Sequence, residues 1–206
     1  MNEYRRTEGG VVVPERESRA LSRVEIRMDD DTPVLDGYAT VYDYRYDVAG
    51  GPEMNGFTEL VARGAAKKSA EEADVRLLVN HGGVALARTK SGTMTLESDD
   101  IGLRVRAALD PSNPVVAELR SAMARGDLDE MSFGFRVLRD EWSADYTERT
   151  IREVKLYDVS LVTFPANPAT VAQMRATEPV TEPSSTPAVG GRSLALARRQ
   201  LEALHT

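Results

Sequence analysis

Three stretches hold residues whose types could do chemistry. Leu77-Leu78-Val79-Asn80-His81-Gly82 ends a compact apolar run on an imidazole. His81 is one of only two histidines, and the other, His205, is the penultimate residue, where fraying is expected. Imidazole is the side chain best matched to general-base work near neutral pH, and Gly82-Gly83 behind it allows a substrate backbone close approach. The competing reading is a turn histidine that hydrogen-bonds locally. Glu130-Met131-Ser132-Phe133-Gly134-Phe135 places Ser132 and Gly134 on one face of a strand and the two phenylalanines on the other, a packed side and an open side. Ser132 becomes a nucleophile only beside a base, and is otherwise an outward strand serine. The third stretch, 152–168, carries Glu153 and Asp158 in a β-rich run. Asp158, between Tyr157 and Val159, reads as partly buried. A buried carboxylate needs a partner, for which His81 is apt; the alternative is an ordinary strand with two solvated acids.

Other chemistries are excluded by count. The 206-residue chain has no Cys, so thiol nucleophiles, disulfides and thiolate metal sites are out. A zinc site built on several imidazoles is excluded with one internal histidine, and a carboxylate-rich one would have at most this one nitrogen ligand. No metal or organic cofactor is called for. A net charge of −7 argues against a general phosphate-binding surface, so no nucleic-acid partner is expected. No apolar run approaches the ~20 residues of a membrane span, and the start, Met1-Asn2-Glu3-Tyr4-Arg5-Arg6, does not read as a signal peptide. With 41% hydrophobic and 29% charged residues, wholesale disorder is excluded. No G-x-S-x-G surrounds Ser132, so an α/β-hydrolase elbow is not supported.

The elements that must position these residues are mostly strands. Residues 24–28 alternate at period two, 29–33 form a turn, and 34–42 are β-rich, which predicts a hairpin. Residues 47–56 read as a loop and 59–73 as a helix weakened by Gly64. Short strands are predicted at 75–79, 85–88, 92–97 and 102–109. Asp110-Pro111-Ser112-Asn113-Pro114 starts a helix with Val116, Leu119, Ala122 and Met123 on one stripe, closed by Gly126. Strands follow at 131–138 and 151–164, joined by a polar loop over 140–149. A β-rich α+β domain results, and its many short strands favour a barrel or sandwich. The predicted organisation is a flexible arm at 1–22, the domain at 23–176, a Pro/Ser/Thr/Gly linker at 177–192, and a short amphipathic helix at 193–206 with Leu194, Ala197, Leu201 and Leu204.

The order His81…Ser132 followed by L-Y-D-V-S-L-V-T-F-P-A-N-P over 156–168 resembles the tailed-phage prohead maturation protease family, serine endopeptidases similar at a distance to the herpesvirus assembly proteases. The resemblance spans about residues 23–175. It implies a small, mostly antiparallel β-barrel ringed by a few helices, with His81 as general base and Ser132 as nucleophile. Herpesvirus members use a second histidine as third group; here an acid must serve. The resemblance puts Asp158 at that position. Glu153 is the rival, and its odd spacing from Asp158 predicts the opposite sheet face. The backbone N–H of Ala166 is the implied oxyanion donor, since Pro165 has none. The resemblance further implies action inside the procapsid in the host cytoplasm. The substrate would be the scaffold or the major capsid protein's scaffolding segment, together with the protease itself, and self-association is possible. A non-catalytic head-assembly module with the same barrel is the alternative.

Overall fold

Alternating buried and exposed side chains give several of the strands of this chain the period of a half-buried strand. The computed structural model describes residues 5–7, 10–12 and 17–163. Strands β1 (Arg5–Thr7) and β2 (Gly10–Val12) pair antiparallel as a small separate sheet. The main sheet begins with the hairpin β3 (Glu17–Asp29) and β4 (Thr32–Val41). Next come β5 (Tyr46–Val48), a 3₁₀ turn at Pro52–Met54, β6 (Phe57–Val61) and helix α1 (Lys67–Glu72). They are followed by β7 (Arg76–Val79), β8 (Gly82–Arg88), β9 (Met94–Ser98) and β10 (Gly102–Ala108). Helix α2 (Pro114–Arg125) leads into the two longest late strands, β11 (Glu130–Trp142) and β12 (Glu148–Val162). Asn113 caps α2 by accepting from the Val115 N–H at 3.0 Å, Pro114 takes the first turn, and Gly126 closes the helix at φ +75°.

The strand order is β5-β6-β12-β11-β3-β4-β10-β9, with β7 also on β12 and β8 on β7. The order is open, with β5 at one end and β9 at the other. The mostly-β character agrees with the sequence, but hydrogen bonds do not close the sheet into the expected barrel. Its core gathers Leu35, Leu77, Leu103, Val105, Met131, Phe133, Phe135, Val159 and Leu161, all fully buried.

β12 is the organising strand. One edge pairs antiparallel with β11. The other edge is shared by two parallel partners: β6 along Glu148–Ile151 and β7 along Asp158–Leu161. Between them the strand's N–H groups are met by α1 and its lead-in, with Val154 donating to the Ala65 carbonyl at 3.0 Å and Leu156 to Ser69 Oγ at 2.8 Å. These two donors thereby find acceptors where no strand lies alongside.

Four sequence expectations need correction. Residues 59–73 are not one helix: β6 occupies the first part, Gly64 sits at φ +77°, and the helix starts at Lys67. Residues 17–22 are not arm but the first half of β3, paired with β11. The predicted 47–56 loop contains part of β5 and the 3₁₀ turn. The 140–149 loop is shorter, because β11 runs on to Trp142 and β12 starts at Glu148. Ala166, the 177–192 linker and the 193–206 helix lie outside the described residues. Among the described residues, no helix is long and apolar enough to cross a membrane.

Candidate active site

His81 is placed by a two-residue turn. Val79 pairs with Gly82, and the residues between them, Asn80 and His81, have φ of +50° and +56°. Two successive left-handed residues fit a hairpin of this length, but histidine adopts that conformation at a cost. β12 and the residue after it supply the restraint. Asn80 N–H donates to the Leu161 carbonyl at 2.8 Å. Asn80 Oδ1 accepts from the Thr163 N–H at 3.0 Å, and Asn80 Nδ2 donates to Thr163 Oγ1 at 3.3 Å. The His81 N–H itself donates to Ser160 Oγ at 3.3 Å.

Ser132 lies near the start of β11, between β3 and β12, directly opposite Ser160. Phe133 and Phe135 stack on the core side with ring centroids 4.4 Å apart. The other side is not open as the sequence suggests: Ser132 is only 2% exposed.

Asp158 is also 2% exposed, whereas the His81 side chain is 24% exposed. His81 Nδ1 lies 2.6 Å from Asp158 Oδ1, and His81 Nε2 lies 2.8 Å from Ser132 Oγ. A carboxylate accepting from Nδ1–H fixes the ring tautomer and leaves Nε2 bare toward the hydroxyl. That arrangement can take a proton from Ser132 and hold the imidazolium that results.

Glu153 is not brought to this cluster. It faces Arg139 across β11, far along the strand from Asp158. The reason differs from the one its spacing suggests. Tyr157 is an extra residue in β12, because Gly134 pairs with Asp158 while the adjacent Phe135 pairs with Leu156. The bulge shifts the alternation, so the core side runs Val154, Leu156, Val159, Leu161. Glu153 and Asp158 therefore share a face, and distance rather than orientation separates Glu153 from His81.

Ser160 has no role in the sequence reading, yet it touches both His81 and Asp158. Its Oγ donates to Asp158 Oδ1 at 2.8 Å and lies 3.3 Å from His81 Nδ1. The available signal was its two-residue spacing from Asp158, which puts both on one face. Among the described residues, no three His, Cys, Asp or Glu side chains group as they would around a metal ion.

The second buried polar cluster lies at the other end of β12. Arg149 Nη1 bonds Glu17 at 2.8 Å and Glu59 at 3.0 Å, and Nε bonds Asp140 at 2.8 Å. Tyr46 donates to Glu59 at 2.5 Å. Burial acts to lower the Arg149 pKa, but the facing Glu59 and Glu17 carboxylates outweigh it and hold the guanidinium charged.

The chain is similar to the prohead protease of Enterobacteria phage HK97, with 28% identity over 161 residues, covering 76% of this chain and 67% of that protein. The capsid assembly protease of bacteriophage T4 aligns over 74% of this chain and all of its own, at 14% identity and a TM-score of 0.45. The family model of the caudovirus prohead serine proteases matches residues 22–183, most of the sequence, and the chain belongs to that family.

Proposed function

We propose that this chain is a serine endopeptidase of head maturation in which Ser132 is the nucleophile, His81 the general base and Asp158 the third member. The observation that carries the reading is the continuous path from Asp158 through His81 to Ser132, with contacts of 2.6 and 2.8 Å. Ser132 Oγ attacks the scissile carbonyl while His81 Nε2 takes its proton. Asp158 stabilises the imidazolium, which then protonates the leaving amine as the C–N bond breaks. Water hydrolyses the acyl-enzyme by the reverse proton path. The Ala166 backbone N–H is proposed as a donor to the oxyanion, where a single such donor contributes about 10²–10³ in kcat. The substrates proposed are the scaffold or capsid protein within the procapsid, and the protease itself. Its own linker at 177–192 is a suitable site by composition.

The test uses the full chain. Incubated protein should shorten, and a fluorophosphonate should label Ser132. Ser132→Ala and His81→Ala should each abolish shortening, since members of such a unit removed singly cost on the order of 10⁶-fold. A folded Ser132→Ala variant that still cleaves itself and a capsid substrate sinks the assignment. A wild-type chain that neither labels nor cleaves fits a non-catalytic head-assembly module instead.

A further inference from the structure

We infer that Ser160 is a positioning residue, which ties the acid to the base and sets the basicity of His81. The inference deepens the peptidase reading and rests on it for its kinetic arm. Ser160 is fully buried, directly across the ladder from Ser132 and two residues from Asp158.

A hydroxyl has one proton to give and lone pairs to accept with. Two acceptors compete for the Ser160 proton: Asp158 Oδ1 at 2.8 Å and His81 Nδ1 at 3.3 Å. The carboxylate is closer and charged, so it takes the proton. His81 Nδ1 must then carry its own hydrogen toward Asp158 Oδ1 at 2.6 Å. The same Ser160 oxygen accepts the His81 backbone N–H at 3.3 Å. One side chain therefore holds the base by its backbone and the acid by its oxygen.

Two consequences follow. The His81 backbone, at φ +56°, is restrained from β12 at the residue that carries the reactive ring. The Asp158 carboxylate accepts from Ser160 as well as from His81, which tempers its pull on the imidazole. Among the described residues, the titratable group bonded to the ring is Asp158. Removing the Ser160 hydroxyl takes one hydrogen bond from the carboxylate, and its hold on the protonated imidazole strengthens.

The experiment compares wild type, Ser160→Ala and Ser160→Thr as full chains. Peptide hydrolysis is followed against pH. The His81 ring is titrated by NMR in the Ser132→Ala background, with a His205→Gln variant to separate the two imidazoles. Ser160→Ala should lower kcat about 10-fold or more with KM changed less than about twofold, the pattern of a lost transition-state interaction. Its acid limb and its His81 titration should both move up by about half a pH unit or more, and Ser160→Thr should restore both. An Ala variant with unmoved His81 titration overturns the proposal, whether its kcat is unchanged or falls only with its thermal midpoint. The titration needs no turnover, so it decides the role of Ser160 even if Ser132→Ala shows the peptidase reading to be wrong.

Discussion

Replacing Asp158 with Asn removes a charge and little else. The side chain keeps its volume in a site that is 2% exposed, and its amide oxygen can still accept from Ser160. What goes is the carboxylate 2.6 Å from His81 Nδ1, which in the proposed mechanism holds the imidazolium formed during attack. With charge centres about 4 Å apart and an effective dielectric near 20, that attraction is about 4 kcal/mol. The rate loss is then on the order of 10³-fold, at about tenfold per 1.4 kcal/mol. A serine protease altered in this way loses about 10⁴-fold, the tautomer being disturbed as well. We therefore expect Asp158→Asn to lower kcat at least about 10²-fold, the lower end of general acid–base contributions. Glu153→Gln serves as the internal control. It lies five residues away, roughly 15 Å along the strand, and should change kcat less than about twofold. Both variants are measured on one peptide substrate, with circular dichroism to show that they fold. If Asp158→Asn stays within about tenfold of wild type, or if Glu153→Gln is the crippled enzyme, the reasoning fails.

Two further predictions concern the scaffold. Arg149→Met removes the cation that bonds the buried Glu17 and Glu59, destabilising the fold by about 3–5 kcal/mol, with a clear drop in chemical denaturation midpoint; a variant as stable as wild type would show that this ion cluster does not hold the fold. Asp145, in the turn between β11 and β12, is held down from its ordinary 3.8 to about 2 by hydrogen bonds from Ser143 and Thr147. Its folded pKa is depressed, so the contribution is present above about pH 4 and lost as the pH falls toward 2. NMR titration of the turn should show this, and Ser143→Ala should raise the Asp145 midpoint.

Much of the site was legible in the sequence because it depends on local pattern. An apolar run ending in Asn-His-Gly announces a strand and its turn, and Ser132 between Met131 and Phe133 has a definite face. The elements that escaped are those decided by distant partners. Residue 59 is a glutamate in a stretch of good helix formers, and propensity reads helix. In the fold it is a strand residue whose side chain is buried on Arg149, ninety positions away in sequence. The same ion cluster draws Glu17 into β3 and Arg149 into β12, lengthening strands over residues whose polarity suggests arm and loop. The face of Glu153 escaped for another reason. Parity arguments hold only along an unbroken ladder, and the bulge at Tyr157 breaks this one.

The bulge also explains why one strand can serve the whole site. Without it, Asp158 would fall on the core side with Leu156 and Val154, where a carboxylate has no partner among apolar neighbours. Inserting one residue turns Asp158 to the side where Ser132 stands, while Val159 and Leu161 resume the core contacts behind it. Directly beyond the bulge β12 acquires β7 as its parallel neighbour, and the turn after β7 folds His81 back over Asp158 and Ser160. His81 thus takes its position from the strand that carries Asp158, and that strand is laddered to the one bearing Ser132. Errors in placing His81 and Ser132 are shared through β12 rather than accumulated over the 51 positions of chain that separate them. A serine and a histidine from separate hairpins can meet within hydrogen-bond reach for that reason, even though the turn holding the histidine is a strained one.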